Sequence, residues 1–124
     1  MKFSEADKDN RYRITGYDAN SITINYNQRF DKPFMLMPEA LIGDWSAQSL
    51  ASLTEAQLEP LLKAQANVIL IGTGKTQQFP SAAIWQKLVA NGVGFEVMTT
   101  DSACRTYNVL LGDARKVAAA FFFD

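Results

Sequence analysis

Apolar residues recur at every second position in one early stretch: Ile22, Ile24 and Tyr26 alternate with Thr23 and Asn25. That is the period of a strand with one buried face. A second β-rich run, Tyr12 to Gly16, precedes it, with the turn formers Asp18, Ala19 and Asn20 between the two. Together they predict an amino-terminal β-hairpin with strands over 12–16 and 21–27. The short apolar run PFMLMP, bounded by Pro33 and Pro38, predicts an edge strand or an extended connection, because proline cannot donate to a ladder.

The period then changes. Thr54 with Gln57 forms a capping-box start, and Leu58, Leu61 and Leu62 fall on one helical face behind it. Pro60 interrupts this helix; in a helix interior a proline costs about 3 kcal/mol, so the pattern predicts a turn over 54–58 and a helix restarting near Pro60. NVILIG is an unbroken β-branched run, as expected of a strand covered on both faces in a parallel sheet. A second helix starts near Pro80 and Ser81, should bury Ile84, Trp85, Leu88 and Val89, and stops at Asn91-Gly92. VGFEVM is the next strand. A third helix follows, capped by Asp101 or Thr100, with Ala103, Tyr107 and Leu110 along one face and Gly112 at its end. KVAAAFFF mixes helix-favouring alanines with strand-favouring Val117 and phenylalanines; after the Gly112-Asp113 turn it reads as a closing strand. Strands alternating with helices place the chain in the α/β class, and with neither repeat nor linker it reads as one domain over 1–124.

Composition narrows the chemistry. The chain has 124 residues, 48% of them hydrophobic, and a formal net charge of −1, so no overall field draws it toward nucleic acid or an anionic membrane. Its longest apolar run, Val117 to Phe123, is far short of the ~20 residues that span a bilayer as a helix. The charged amino terminus lacks a secretory pattern, and the expectation is a cytoplasmic protein with no membrane insertion. There is no histidine and one cysteine. That removes the commonest general base and metal ligand, and no Cys-rich metal site can form within one chain; neither a metal nor a cofactor is expected.

Two stretches carry what chemistry remains. IGTGKTQQF ends a P-loop correctly at Gly74-Lys75-Thr76, but the required first glycine falls at Ile69. The dinucleotide fingerprint also fails, with Gln77 in the place of its third glycine. Gly72, Thr73 and Gly74 still form a glycine turn at the carboxyl end of a buried strand, where α/β sheets expose backbone donors. The plainer reading is that the glycines only let the chain turn sharply. In the third helix, Cys104 in the first turn beside Arg105 could be a thiolate favoured by the helix dipole, or an inert core cysteine. Arg105, Thr106, Tyr107 and Asn108 could aim donors at an anion or a partner, or serve as caps and surface hydrogen bonds. Trp45, after Gly43-Asp44, reads as a packing residue.

LIGTGKTQQFP, GVGFEVMTTDSACRTYNVLLGDARKVAAA and the Asp44-Trp45 pair together resemble a domain-of-unknown-function family of bacteria and archaea. Its mitochondrial branch is the respiratory complex I (NADH:ubiquinone oxidoreductase) assembly factor 3. The match covers nearly the whole chain and is most specific at Thr73-Gly74, Phe79-Pro80 and Ala103 to Asn108, on the bacterial pattern. The resemblance implies three layers around a central mixed sheet whose last strand runs antiparallel to the others. It also implies a cleft at Gly72 to Gly74 shared with the helix that carries Cys104 to Asn108. The family has no established enzymatic activity, and its mitochondrial member acts through protein partners. The leading expectation is therefore a non-catalytic binding or assembly module that uses Gly72, Thr73, Gly74, Cys104, Arg105, Thr106, Tyr107 and Asn108 to hold a protein partner. The alternative is a small-anion-binding or thiol-dependent enzyme in the same cleft. Exposed faces of the hairpin offer a surface for self-association.

Overall fold

The computed structural model describes residues 12–123. Its strands are β1 (Ile14–Asp18), β2 (Ser21–Ile24), β3 (Gln28–Phe30), β4 (Phe34–Met37), β5 (Ala40–Ile42), β6 (Val68–Gly72), β7 (Gly94–Met98) and β8 (Val117–Phe121). Its helices are α1 (Glu55–Leu62), α2 (Ala82–Ala90) and α3 (Thr100–Gly112). β1, β2 and β3 form an antiparallel three-stranded sheet. The other five form a mixed sheet in the order β5-β4-β8-β6-β7.

The expected amino-terminal hairpin is thus the first half of a meander. Its second strand ends at Ile24, earlier than the alternating pattern suggests. Asn25 and Tyr26 take left-handed backbone angles, φ 51° and 69°, and turn the chain into β3. Asn suits that conformation, and its side-chain Oδ1 also accepts from the Arg13 N–H at 2.9 Å.

β8 joins the two halves of the large sheet. It lies parallel to β6 and antiparallel to β4, while β7 is parallel to β6 and β5 antiparallel to β4. The last strand is therefore not the antiparallel one; within the large sheet that strand is β4. Helical crossovers through α2 and α3 return β7 and β8 in the direction of β6, whereas β4 comes from the meander with no such constraint. β4 is also buried along its whole length between two neighbours, not at an edge. Pro33 and Pro38 flank it without entering it, so they remove no ladder donor.

The alternation of β8 builds two cores. Ala118, Ala120 and Phe122 join Met35, Met37, Ile69 and Ile71 beneath Leu58 and Leu61 of α1 and Ile84 and Leu88 of α2. Val117, Ala119 and Phe121 face the other way, with Phe34, Leu36 and Leu70, against Ala103, Cys104 and Tyr107 of α3 and Ile14, Ile22 and Ile24 of the meander. The layers are α1 and α2, the five-stranded sheet, then α3 with the meander. Each fully buried leucine stabilises this arrangement by roughly 1.5–3 kcal/mol. The alanines at the centre of β8 let layers approach closely on both sides.

Local departures have local causes. α1 runs unbroken through Pro60, held by the reciprocal Thr54–Gln57 capping box. Proline removes the hydrogen bond to the Ala56 carbonyl, but Ala56 and Pro60 are on the exposed side of the helix, where an unpaired carbonyl costs less than in the core. α2 buries Ile84 and Leu88, yet Trp85 is 38% and Val89 59% exposed, because no layer lies outside the helix. α3 is capped by Thr99, whose side chain accepts from the Ser102 N–H, and not by Thr100 or Asp101. Trp45 is a packing residue, its indole N–H donating to the Gln57 carbonyl at 3.0 Å and its ring set 5.3 Å from Phe122.

Candidate functional site

Gly72 is glycine for want of space. A Cβ there would lie 3.0 Å from both Cα and Oγ1 of Thr100 and 3.2 Å from Cβ of Ala103. This close approach brings the end of β6 against the first turn of α3. The Thr100 hydroxyl, on a residue 5% exposed, accepts from the Gly74 N–H at 2.8 Å and donates to the Phe122 carbonyl at 2.7 Å. Its backbone N–H donates to the Gly74 carbonyl at 3.0 Å, and the Phe122 N–H donates to the Gly72 carbonyl at 2.8 Å. One buried threonine therefore ties together β6, α3 and the end of β8. No unpartnered buried side-chain nitrogen or oxygen remains among the described residues.

Thr73 does comparable work on the other side of the turn. Its N–H donates to the Met98 carbonyl at 2.8 Å. Its hydroxyl donates to the Thr76 carbonyl at 2.7 Å and accepts from the Gln78 N–H at 3.1 Å. Gly74 supplies the left-handed angle, φ 103°, that lets the chain double back. The N–H groups of Thr73 and Gly74, the donors an anion would need, are both used inside the protein.

The polar run on α3 is divided between two tasks. Tyr107 is buried and its hydroxyl donates to the Tyr12 carbonyl at 2.7 Å; burial pushes the phenol well above its ordinary value. Asn108 meets the backbone of Ile14 with both ends of its amide, donating to the carbonyl at 2.6 Å and accepting from the N–H at 3.1 Å. These two residues dock the meander onto α3. Thr106 is half-buried and donates to the Met98 sulfur at 3.5 Å. Arg105 is exposed and reaches Tyr17 Oη at 3.2 Å and Ser102 Oγ at 3.3 Å.

Cys104 lies in the second turn of α3, not the first, and is fully buried in the core under the meander. Burial pushes its thiol up to about 12, the Asp101 carboxylate adds to the rise, and Arg105 opposes it. It is a protonated thiol at neutral pH. The dipole argument fails because the side chain points into apolar packing and away from the exposed N–H groups of the helix start.

A cleft does lie beside the glycine turn, between Ala19, Gly74, Lys75 and Asp101, but it holds only about 100 Å³, below the ~300–1,000 Å³ of ordinary small-molecule sites. Gly74 lines it; Cys104 to Asn108 do not. A broader open groove of about 520 Å³ lies at the outer end of the loop, lined by Phe79, Pro80, Ala82, Trp85 and Gln86. There Phe79 is 66% exposed and meets Trp85 edge-on at 6.0 Å, and Trp85 meets Phe95 at 5.0 Å. This aromatic shelf escapes a reading of helical periodicity, which assigns Trp85 to the core; the signal available was Phe79, a large apolar residue in a polar loop. Among the described residues no group of three or more acidic or cysteine side chains could hold a metal ion, and no helix is long and apolar enough to cross a membrane.

Residues 14–122 match the family model described as a protein of unknown function (DUF498/DUF598). The chain is 32% identical over 107 residues to the NADH dehydrogenase [ubiquinone] 1 alpha subcomplex assembly factor 3 of Danio rerio, an alignment covering 86% of this chain and 62% of that protein. The chain thus spans less than two thirds of that relative's length. Two solved bacterial structures are similar throughout. A protein of Xanthomonas campestris, determined by NMR, has 38% identity and a TM-score of 0.79, covering 90% of this chain and 83% of that one. A crystal structure from Bordetella parapertussis has 32% identity and a TM-score of 0.80, covering 91% and 96%.

Proposed function

This chain belongs to the DUF498/DUF598 family of proteins of unknown function, and we propose that it is a non-catalytic assembly module that binds a protein partner. The observation that carries the reading is the aromatic shelf. Phe79 and Trp85 are large apolar side chains at 66% and 38% exposure, and the shelf has polar Gln86 at its border. Exposed aromatics with an apolar floor and a polar rim resemble the anchors of protein interfaces. The relative from Danio rerio is named for assembly of an NADH dehydrogenase, which supports a subunit of a respiratory complex as the partner class.

In this reading the glycine turn is the frame and not the contact. Gly72, Thr73 and Gly74 anchor a loop that presents Phe79, while Tyr107 and Asn108 keep the opposite layer in place. The test is capture of respiratory NADH dehydrogenase subunits by the tagged chain from its host, quantified by mass spectrometry against a tag-only control. Phe79→Ala, at a side chain 66% exposed, serves as the comparison. The expected result is specific enrichment of such subunits and a loss of about tenfold or more in the variant, the scale of an aromatic anchor. Equal capture by both proteins removes the shelf from the reading; no enrichment of those subunits removes the respiratory partner.

A further inference from the structure

We propose that the loop after Gly74 is a strap, held by Thr73 and ending in Gln77, that closes the free edge of β7 against pairing with a second copy of this chain. β7 is the outer strand of the five-stranded sheet. Its Met98 carbonyl points inward, since it accepts from the Thr73 N–H. Backbone groups alternate in direction along a strand paired on one side, so those of Phe95 and Val97 point outward. An open edge of this kind is a template for strand addition.

The strap meets that edge with a side chain. The Gln77 amide nitrogen donates to the outward Val97 carbonyl at 2.9 Å, in the position a neighbouring strand's N–H would take. Its aim is fixed on both sides: the Thr73 hydroxyl bonds the carbonyl of Thr76 and the N–H of Gln78, the two residues that flank Gln77. The same device occurs independently at a second edge, where the Asn108 amide covers both backbone groups of Ile14 on β1. Two edge strands, β1 and β7, are thus each covered by a side-chain amide from another element. The inference does not rest on the shelf at Phe79 or on any heterologous partner.

The test is Gln77→Ala, an exposed substitution, compared with the parent chain by sedimentation equilibrium over a wide concentration range. Residue-resolved amide exchange is followed at the same concentrations. The variant is expected to self-associate more tightly by roughly threefold to tenfold, the factor that one net hydrogen bond carries in an equilibrium constant. The Phe95 and Val97 amides should become protected only where it associates. Identical sedimentation of the two proteins overturns the strap. So does association of the variant that leaves those two amides unprotected, because the copies would then meet elsewhere.

Discussion

Thr100 concentrates more structural obligation than any residue of the glycine turn it serves. Its hydroxyl is the acceptor for the Gly74 N–H and the donor to the Phe122 carbonyl, both in places water does not reach. Thr100→Val keeps the shape and removes both bonds, leaving a buried N–H and a buried carbonyl unmatched at about 1–3 kcal/mol each. We expect a loss of at least about 2 kcal/mol in urea unfolding, with Thr100→Ser recovering most of it. Cys104 gives a prediction in pH. Its thiol titrates near 9.0 when free and near 12 when folded, so between these values the folded chain holds a proton that the unfolded chain has released. Stability is then fully present below pH 9 and falls as pH rises toward 12. Cys104→Ala should flatten the first part of that fall, to the extent that Tyr107, also raised by burial, does not supply it. None of this role was legible at Thr100 in the sequence. Thr99, Thr100 and Asp101 are all good caps, and only the packing of Gly72 decides which threonine is free to turn inward.

At the scale of elements, α3 is both a core helix and a clamp on the meander. Asn108→Ala should leave the helix formed but release Ile14, losing two hydrogen bonds at about 0.5–1.5 kcal/mol each. The Ile14 amide should exchange faster with solvent while amides of β6 keep their protection. Strands and helices with a strong period were readable in advance: β6 from its β-branched run, β7 and α2 from their boundaries, β8 from the turn before it. β3 and β5 were not, since three residues hold too little pattern. The position of β4 was not either, because strand order depends on contacts between distant parts of the chain, which a local run such as FMLM does not encode. Pro60 misled for a related reason. Its local penalty is real, but an intact capping box and two buried leucines outweigh it.

For the whole molecule, the five-stranded sheet carries one core on each face, and β4, β6 and β8 contribute to both. The proposed single domain over the full chain requires the two faces to be lost together. Both tryptophans lie on the α1 and α2 side, and Cys104 lies on the α3 side. Tryptophan fluorescence and pulsed alkylation of Cys104 should therefore follow one urea transition with one midpoint; separate midpoints would divide the chain into two units. The candidate site was legible only in outline. The glycine turn was found from its spacing, but its donors proved to be committed internally, and Phe79 and Trp85 acquire meaning only once the sheet edge beneath them is known.

The central place of β8 also governs how the molecule can be made. It follows every other strand in the chain, yet it lies between β4 and β6. While a ribosome is still producing residues before 117, the pairs β4–β5 and β6–β7 have no strand to join them, and each exposes an inner edge that the finished protein buries. The sheet cannot grow outward from a completed nucleus as synthesis proceeds; it closes in one late step when Val117–Phe121 emerges. Nascent chains of this fold thus present their most association-prone surfaces during translation, a period in which a guard on the β7 edge alone gives no protection.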